Sequence, residues 1–406
     1  MSDFEKILKK YKYKNWNWVK VNSNPNLSYD FIRNNNLIWN WNWRMISQNP
    51  SITCDIIESN PNEKWEWNYL SKNPNITIEF IKKNISQNFN WKYLSYNTNI
   101  TETNILNNMD LPWVWKFVSY NTNITKKIVL KYINKDWNFK HLSKHPDMID
   151  VIDLYPDKEW NWQMISLNKS INIDFILKYL DRPLSMYHIL ANKNIKIEDI
   201  KKLPQSCLSY RCISRNPNLT IDYINENPNN DWQWSLISFY YNGDFKNIKN
   251  NLDKPWDWKY LSMNINITCN DIDNNINLPW DWNSISYKLN LNLKFIKKYI
   301  NKPFNFSELS GNKEITIDLI ENNIHKPWDF NRLSGNINIT YDFITKYINK
   351  DWNWNWISNN NFNYSYKLKM KDIEDRMNIY KEELIQKTWH PSRVSMWCFD
   401  LDDIST

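Results

Sequence analysis

Apolar residues recur along this chain at fixed distances from a serine. Aligned on that serine, from Ser47, Ser71 and Ser95 to Ser334 and Ser358, with Asn22 and Leu190 filling two further slots, the pattern repeats every 24 residues in fifteen occurrences. The position just before the serine is apolar every time, from Val21 and Ile46 to Leu333 and Ile357. The position ten residues after it is Ile, Val or Leu, as in Ile57, Ile81, Val129 and Leu368, except at Asp153, where the neighbouring Ile152 takes over.

Between these columns stand two rings one residue apart, as in Pro255-Trp256-Asp257-Trp258. Alternation of that kind suggests a strand, but it lasts only three residues, and the apolar positions that follow have helical spacing. The residue between the rings is Asn, Asp or Ser in twelve of fifteen occurrences, the types whose side-chain oxygen caps a helix start. With Asp257 as the cap, Trp256 and Leu261 form a hydrophobic staple. Eleven residues on, Thr268 caps a second helix with Ile267 and Ile272 as its staple, and acids such as Asp55, Glu79 and Asp342 sit in the first turn of equivalent helices. An Asn two residues after the serine (Asn73, Asn97, Asn216, Asn264, Asn336) is expected to end the first helix in a left-handed conformation.

Each unit therefore reads as two short helices that must stack on their neighbours to be stable. The predicted fold is an all-α solenoid of about fifteen two-helix repeats over residues 15–370, superhelical, with capping segments at 1–14 and 371–406. A β-solenoid is the alternative, because 24 residues also fit one of its coils. Layers about 8–10 Å apart give an arc on the order of 150 Å, with a long surface and no single pocket.

Composition agrees with an array. There are 3 glycines and one alanine, Ala191, so glycine-rich phosphate loops are excluded. Asn, Ile, Lys and Tyr are what an AT-rich coding sequence drifts toward, so much of the asparagine is expected to carry no message. Tryptophan has a GC-rich codon, and 25 of them imply that the rings are required; 21 occupy the two ring columns, where they read as core. The net charge of +7 is spread along the chain, a weak pointer to anionic partners. The cysteines (Cys54, Cys207, Cys212, Cys269, Cys398) lack CxxC spacing and read as reduced thiols. No secretion signal or membrane span is expected, and the many Asn-x-Ser/Thr triplets are expected to stay unglycosylated.

The pattern breaks in two places. Across 181–212 the ring columns hold Leu184, Met186, Leu208 and Tyr210, read as local drift or as a hinge or partner-binding segment. At Tyr240, Tyr241 and Gly243 the usual Asn and Ile are displaced, which predicts two exposed rings.

Candidate chemistry is sparse. His141 and His145 lie one helical turn apart but lack a third ligand, and His145 stands in the Asn stop column. No catalytic, cofactor-binding or metal-binding residues are assigned, and no cofactor is expected. Lysines of the second helices (Lys82, Lys83, Lys126, Lys127, Lys297, Lys298) read as a solvated face.

The unit, in forms such as Trp65-Glu66-Trp67, Leu70-Ser71 and Asn73 to Thr77, resembles tandem repeats of uncharacterised proteins of giant DNA viruses with AT-rich genomes. The ending Trp389 to Arg393 is similar to a terminal element of some of them. The resemblance covers nearly the whole array and implies an intracellular viral product, in the host cytoplasm, the viral factory or the particle, but no activity. The expected function is a non-enzymatic scaffold whose partner is another protein. RNA or single-stranded nucleic acid is the alternative, and a particle structural component is a third reading; neither a membrane nor a small-molecule substrate is expected.

Overall fold

A computed structural model describes residues 1–36 and 38–362. Among them are thirty α-helices and two short 3-10 helices, with no strand. The longest helix has 8 residues, so none is stable by itself, and packing must supply what length does not.

Most helix starts are where the capping logic places them, although Glu66, Val114, Met148, Ser185 and Gln233 stand at the cap position without a side-chain cap bond. Asp257 caps Trp258–Met263 by accepting from the Tyr260 N–H, and Thr268 caps Cys269–Asn274 by accepting from the Asp271 N–H. Trp256, Leu261, Ile267 and Ile272, the staple residues of these two helices, are all buried. Helices of the first kind alternate with helices of the second kind along the chain, and many of the first helices pack on their counterparts one repeat away, as Trp234–Tyr240 does on Trp258–Met263.

The two tryptophan columns differ in task. In the first column, Trp65, Trp113, Trp256 and Trp280 are buried, and each indole N–H donates to a carbonyl five residues back, at the C-terminal end of the preceding helix: Trp256 to Asn251 O at 2.8 Å, Trp65 to Asn60 O at 2.8 Å. That donor satisfies a carbonyl which a phenylalanine would leave open. Burying such a ring contributes about 2–3 kcal/mol. In the second column, Trp43, Trp67, Trp91, Trp234 and Trp258 are only half-buried, packing edge-on against the first-column ring of the next unit, as Trp258 does on Trp280 at 5.2 Å. The expectation that both columns are interior therefore holds fully for the first; the second packs against the core but is mostly half-buried, with Trp162, Phe306 and Phe330 buried.

The serine is a bridge between neighbours. The Ser71 hydroxyl donates to Trp67 O at 3.0 Å and accepts from the Asn90 N–H at 2.9 Å, tying the end of one first helix to the start of the next. Ser95, Ser119, Ser143, Ser166, Ser286 and Ser358 do the same. The position requires a group that both donates and accepts, and in the first unit the Asn22 amide does the same, donating to Trp18 O at 2.5 Å and accepting from the Asn42 N–H at 3.0 Å.

The asparagine two residues later is not left-handed. Asn24 and Asn264 have φ of −72° and −60°, and among the described non-glycine residues only Phe362 has a positive φ. What the position requires is the amide. Asn73, fully buried, donates to Ser47 O, Asn49 O and Ile52 O at 2.9–3.1 Å and accepts from the Asn75 N–H at 2.9 Å. Asn97, Asn121, Asn216, Asn264 and Asn336 repeat this ladder. Much of the asparagine set aside as compositional drift is thus the seam between units.

The two ends of the described chain meet through the same bonds. The Asn17 N–H donates to the Ser358 hydroxyl at 3.1 Å, as Asn90 does to Ser71. Asn24 donates to Ser358 O and Asn360 O at 3.0 and 3.2 Å, as Asn97 does to Ser71 O and Asn73 O. Trp16 packs on Trp354 at 5.2 Å, the distance at which Trp65 packs on Trp43. The N-terminal helix Asp3–Lys10 follows the second-helix register: Leu8 is buried, and the Trp16 N–H reaches Tyr11 O five residues back. It lies against the helix Tyr341–Lys346 and, through Phe4, against Phe362 at 6.4 Å. An open arc with an exposed first unit is therefore replaced by an array whose ends are joined, and the segment expected to cap one end touches both. The expected C-terminal cap at 371–406 and the Leu368 column position lie outside the described residues.

On the outer columns of the second helices, acids and bases of successive units pair: Lys83 with Glu58 at 2.8 Å, Lys178 with Asp153 at 2.6 Å, Lys346 with Glu321 at 2.8 Å. Such exposed pairs contribute little individually, but they leave that face close to neutral.

Candidate macromolecule-binding face

The first helices place three columns away from the core: the residues three and two before the serine, and the one after it. Neighbouring first helices lie closer together than neighbouring second helices, although they are shorter. Their outward columns consequently form one continuous surface.

That surface is basic. Its three columns hold eleven cations: Lys20, Arg44, Lys72, Lys92, Lys116, Lys140, Lys144, Arg211, Arg215, Lys259 and Arg332, against one carboxylate, Glu308. The face thus carries +10, and because the whole chain carries +7, everything else sums to −3. Of these eleven cations, only Arg332, with Glu308 at 2.7 Å, and Lys140, with Glu159 at 3.8 Å, form ion pairs with described residues. Every one of the eleven is at least partly exposed.

The same columns carry rings. Tyr93, Tyr96, Phe117, Tyr120 and His141 make an unbroken stripe with successive centroids 5.9, 6.2, 6.0 and 3.9 Å apart. Burial against this stripe lowers the His141 pKa, with smaller contributions from Lys144 and His145. Tyr120, Tyr187, Tyr260 and Tyr287 are 38–50% exposed, and Trp356, lying over Gly335 where a Cβ would sit 2.6 Å from its ring, is 56% exposed. Lys72 stands 4.0 Å over the Tyr93 ring and Arg44 stands 5.9 Å from that of Tyr69. A surface of alternating cations and exposed rings offers charge to an anionic chain and flat faces to planar groups.

The interrupted segment opens this face into a groove of about 580 Å³, lined by Leu167, Tyr187, His188, Ala191, Arg215 and Tyr240. Ala191 stands in the column that its neighbours fill with Leu167 and Arg215 and that other units fill with Tyr120, Phe239 or Tyr287, though Gly311 and Gly335 are smaller still, and its small side chain leaves a gap between Leu167 and Arg215. Two further hollows of about 480 and 540 Å³ lie near Tyr241 and near Lys288. The surface thus carries several hollows of similar size rather than a single pocket. Tyr240 stays half-exposed, but Tyr241 turns inward onto Trp256 at 5.4 Å, so one ring rather than two is displayed. Its ring fills the space beside Gly243, where a Cβ would lie 2.6 Å from the Tyr241 Cζ.

The two histidines weighed for a metal have different tasks. His141 stacks on Tyr120, whereas His145 caps a 3-10 turn by accepting from the Asp147 N–H at 3.4 Å. Among the described residues no three His, Cys, Asp or Glu side chains lie together as a metal set. Cys54, Cys207, Cys212 and Cys269 are free thiols, and no described helix is long and apolar enough to cross a membrane.

The sequence reading missed this face because it judged nucleic-acid binding by the tryptophans, which are structural, and by the second-helix lysines, several of which pair with acids. Tallying the columns beside the serine finds the signal. Comparison with protein-family models, characterised proteins and solved structures finds no match.

Proposed function

We propose that the protein is a non-enzymatic scaffold of about fifteen two-helix units closed into a ring, which binds an extended anionic macromolecule along its first-helix face. The observation that carries this reading is the concentration of +10 on that face while the rest of the chain is slightly acidic. Because first helices crowd more closely than second helices, they form the inner wall. At about 8–10 Å per unit the wall is on the order of 120–150 Å around, leaving an opening roughly 30 Å across once side chains are allowed for. The charge favours a polyanion over the neutral or mixed protein surface that a general scaffold would meet.

A charge-reversal series tests this. Lys92→Glu, Lys116→Glu and Lys140→Glu together should abolish binding of labelled polyanions, whereas Lys82→Glu with Lys83→Glu on the second-helix face should not. Equal losses from the two sets would remove the basis for assigning the face. An intracellular viral setting, with a role in the infected cell or in the particle, fits the resemblance of the repeat and is tested by locating the protein in cells and purified particles.

A further inference from the structure

The groove in the interrupted segment combines four features found together nowhere else on the described face. Its small residue is the one alanine of the chain. Arg215 lies between the exposed ring of Tyr187, 4.7 Å from its centroid, and the half-exposed ring of Tyr240, 5.8 Å from its centroid. His188 contributes a buried Nδ1 with no hydrogen-bond partner. Lys169 and Lys193 stand exposed at the rim. The junction beneath it is also the one whose serine column holds Leu190, so the bridge that elsewhere draws adjacent first helices together is missing.

We infer that this groove is a stacking site for one base of a single-stranded nucleic acid whose phosphates follow the cations of the first-helix face. The inference rests on the proposed anionic partner and names its class. A flat ligand can lie on Tyr187 or Tyr240 where Ala191 leaves space, and the Arg215 guanidinium is placed beside both rings to meet a phosphate or stack in turn. The orphan His188 nitrogen supplies a polar contact at the floor for a base edge, while Lys169 and Lys193 receive the flanking phosphates. The volume of about 580 Å³ falls within the range of roughly 300–1,000 Å³ typical of such ligand sites. Duplex bases are stacked on each other and cannot reach these rings. An acidic peptide would use the cations but has no need of the gap.

The experiment is fluorescence anisotropy on the full chain with labelled oligo-uridine, oligo-deoxythymidine, a duplex of equal length and polyglutamate, each across a salt series. Single strands should bind more tightly than duplex or polyglutamate, and the RNA and DNA arms show which sugar is preferred. Ala191→Trp, which fills the groove, and Tyr187→Ala with Tyr240→Ala should each weaken single-strand binding about 5- to 100-fold while leaving the dependence on salt unchanged. The Tyr187→Phe, Tyr240→Phe pair should restore it, and unchanged thermal melting shows that the array is intact. If the groove variants bind as wild type while the Lys92, Lys116 and Lys140 reversals do not, the base site is overturned and the polyanion reading stands. Equal binding of polyglutamate or duplex also overturns the base site. Absence of binding to all four probes overturns both.

Discussion

Lys288 stands in the asparagine column, where the seam between units calls for an amide. It is buried, its ammonium donates to Asn264 O, and burial pulls its pKa from 10.5 down to about 8, opposed weakly by Cys269 and Asp271. A difference of that size corresponds to about 3 kcal/mol of burial cost. Because the folded-state value lies below the unfolded one, the folded chain holds fewer protons between about pH 8 and 10.5, and stability rises with pH across that window. Below about pH 8 the cost is fully present. Lys288→Asn should therefore stabilise the protein at pH 7 by up to about 3 kcal/mol from removal of the charge, with roughly 1 kcal/mol more for each seam bond regained. Lys288→Met should recover the first part only. Guanidinium unfolding of wild type and both variants at pH 7 and pH 10 measures this, the variant-minus-wild-type difference isolating Lys288 from other groups that titrate there. If Lys288→Asn is no more stable than wild type at pH 7, or if the difference does not shrink toward pH 10, the seam does not discriminate as its geometry implies.

Other substitutions test the remaining parts of the unit. Trp256→Ala should cost about 3–5 kcal/mol, and Trp256→Phe about 1–3 kcal/mol for the carbonyl of Asn251 left open, both read by thermal melting; the half-buried Trp258→Ala should cost less than Trp256→Ala. Ser262→Ala removes the acceptor of the Asp281 N–H and should cost about 1–3 kcal/mol in the same assay. Deleting residues 1–14 removes the helix that lies between the two ends, so the melting transition should broaden and move to lower temperature; an unchanged curve would show that the junction contributes nothing.

Most of the local structure was legible from the repeated word. Asp257 and Thr268 announce helix starts through their own side chains, and the columns of Leu261 and Ile272 announce the core because their spacing is local. What was not legible depends on contacts between units. The hydroxyl of Ser71 and the amide of Asn73 look like ordinary helix-end residues until the next unit is placed beside them, and the bias of the codons made the asparagines easy to discount. Closure is subtler still, since a small change in the turn per unit separates a ring from an open spiral, and no single residue encodes it. The basic face was visible in principle, as the columns of Tyr93, Tyr120, Lys116 and Lys140 lie beside the serine, but the tryptophans drew the chemical reading to the interior.

Joined ends are the feature on which the inner wall and its concentrated charge depend. Spin labels introduced as non-natural residues at Val19 and Asn355, both exposed on first helices, measure the junction directly by electron–electron distance. A ring places them on adjacent helices, about 10 Å apart plus the label arms, and so within roughly 30 Å. A dominant distance beyond about 60 Å, as an open array of the same helix spacing gives, would contradict the ring.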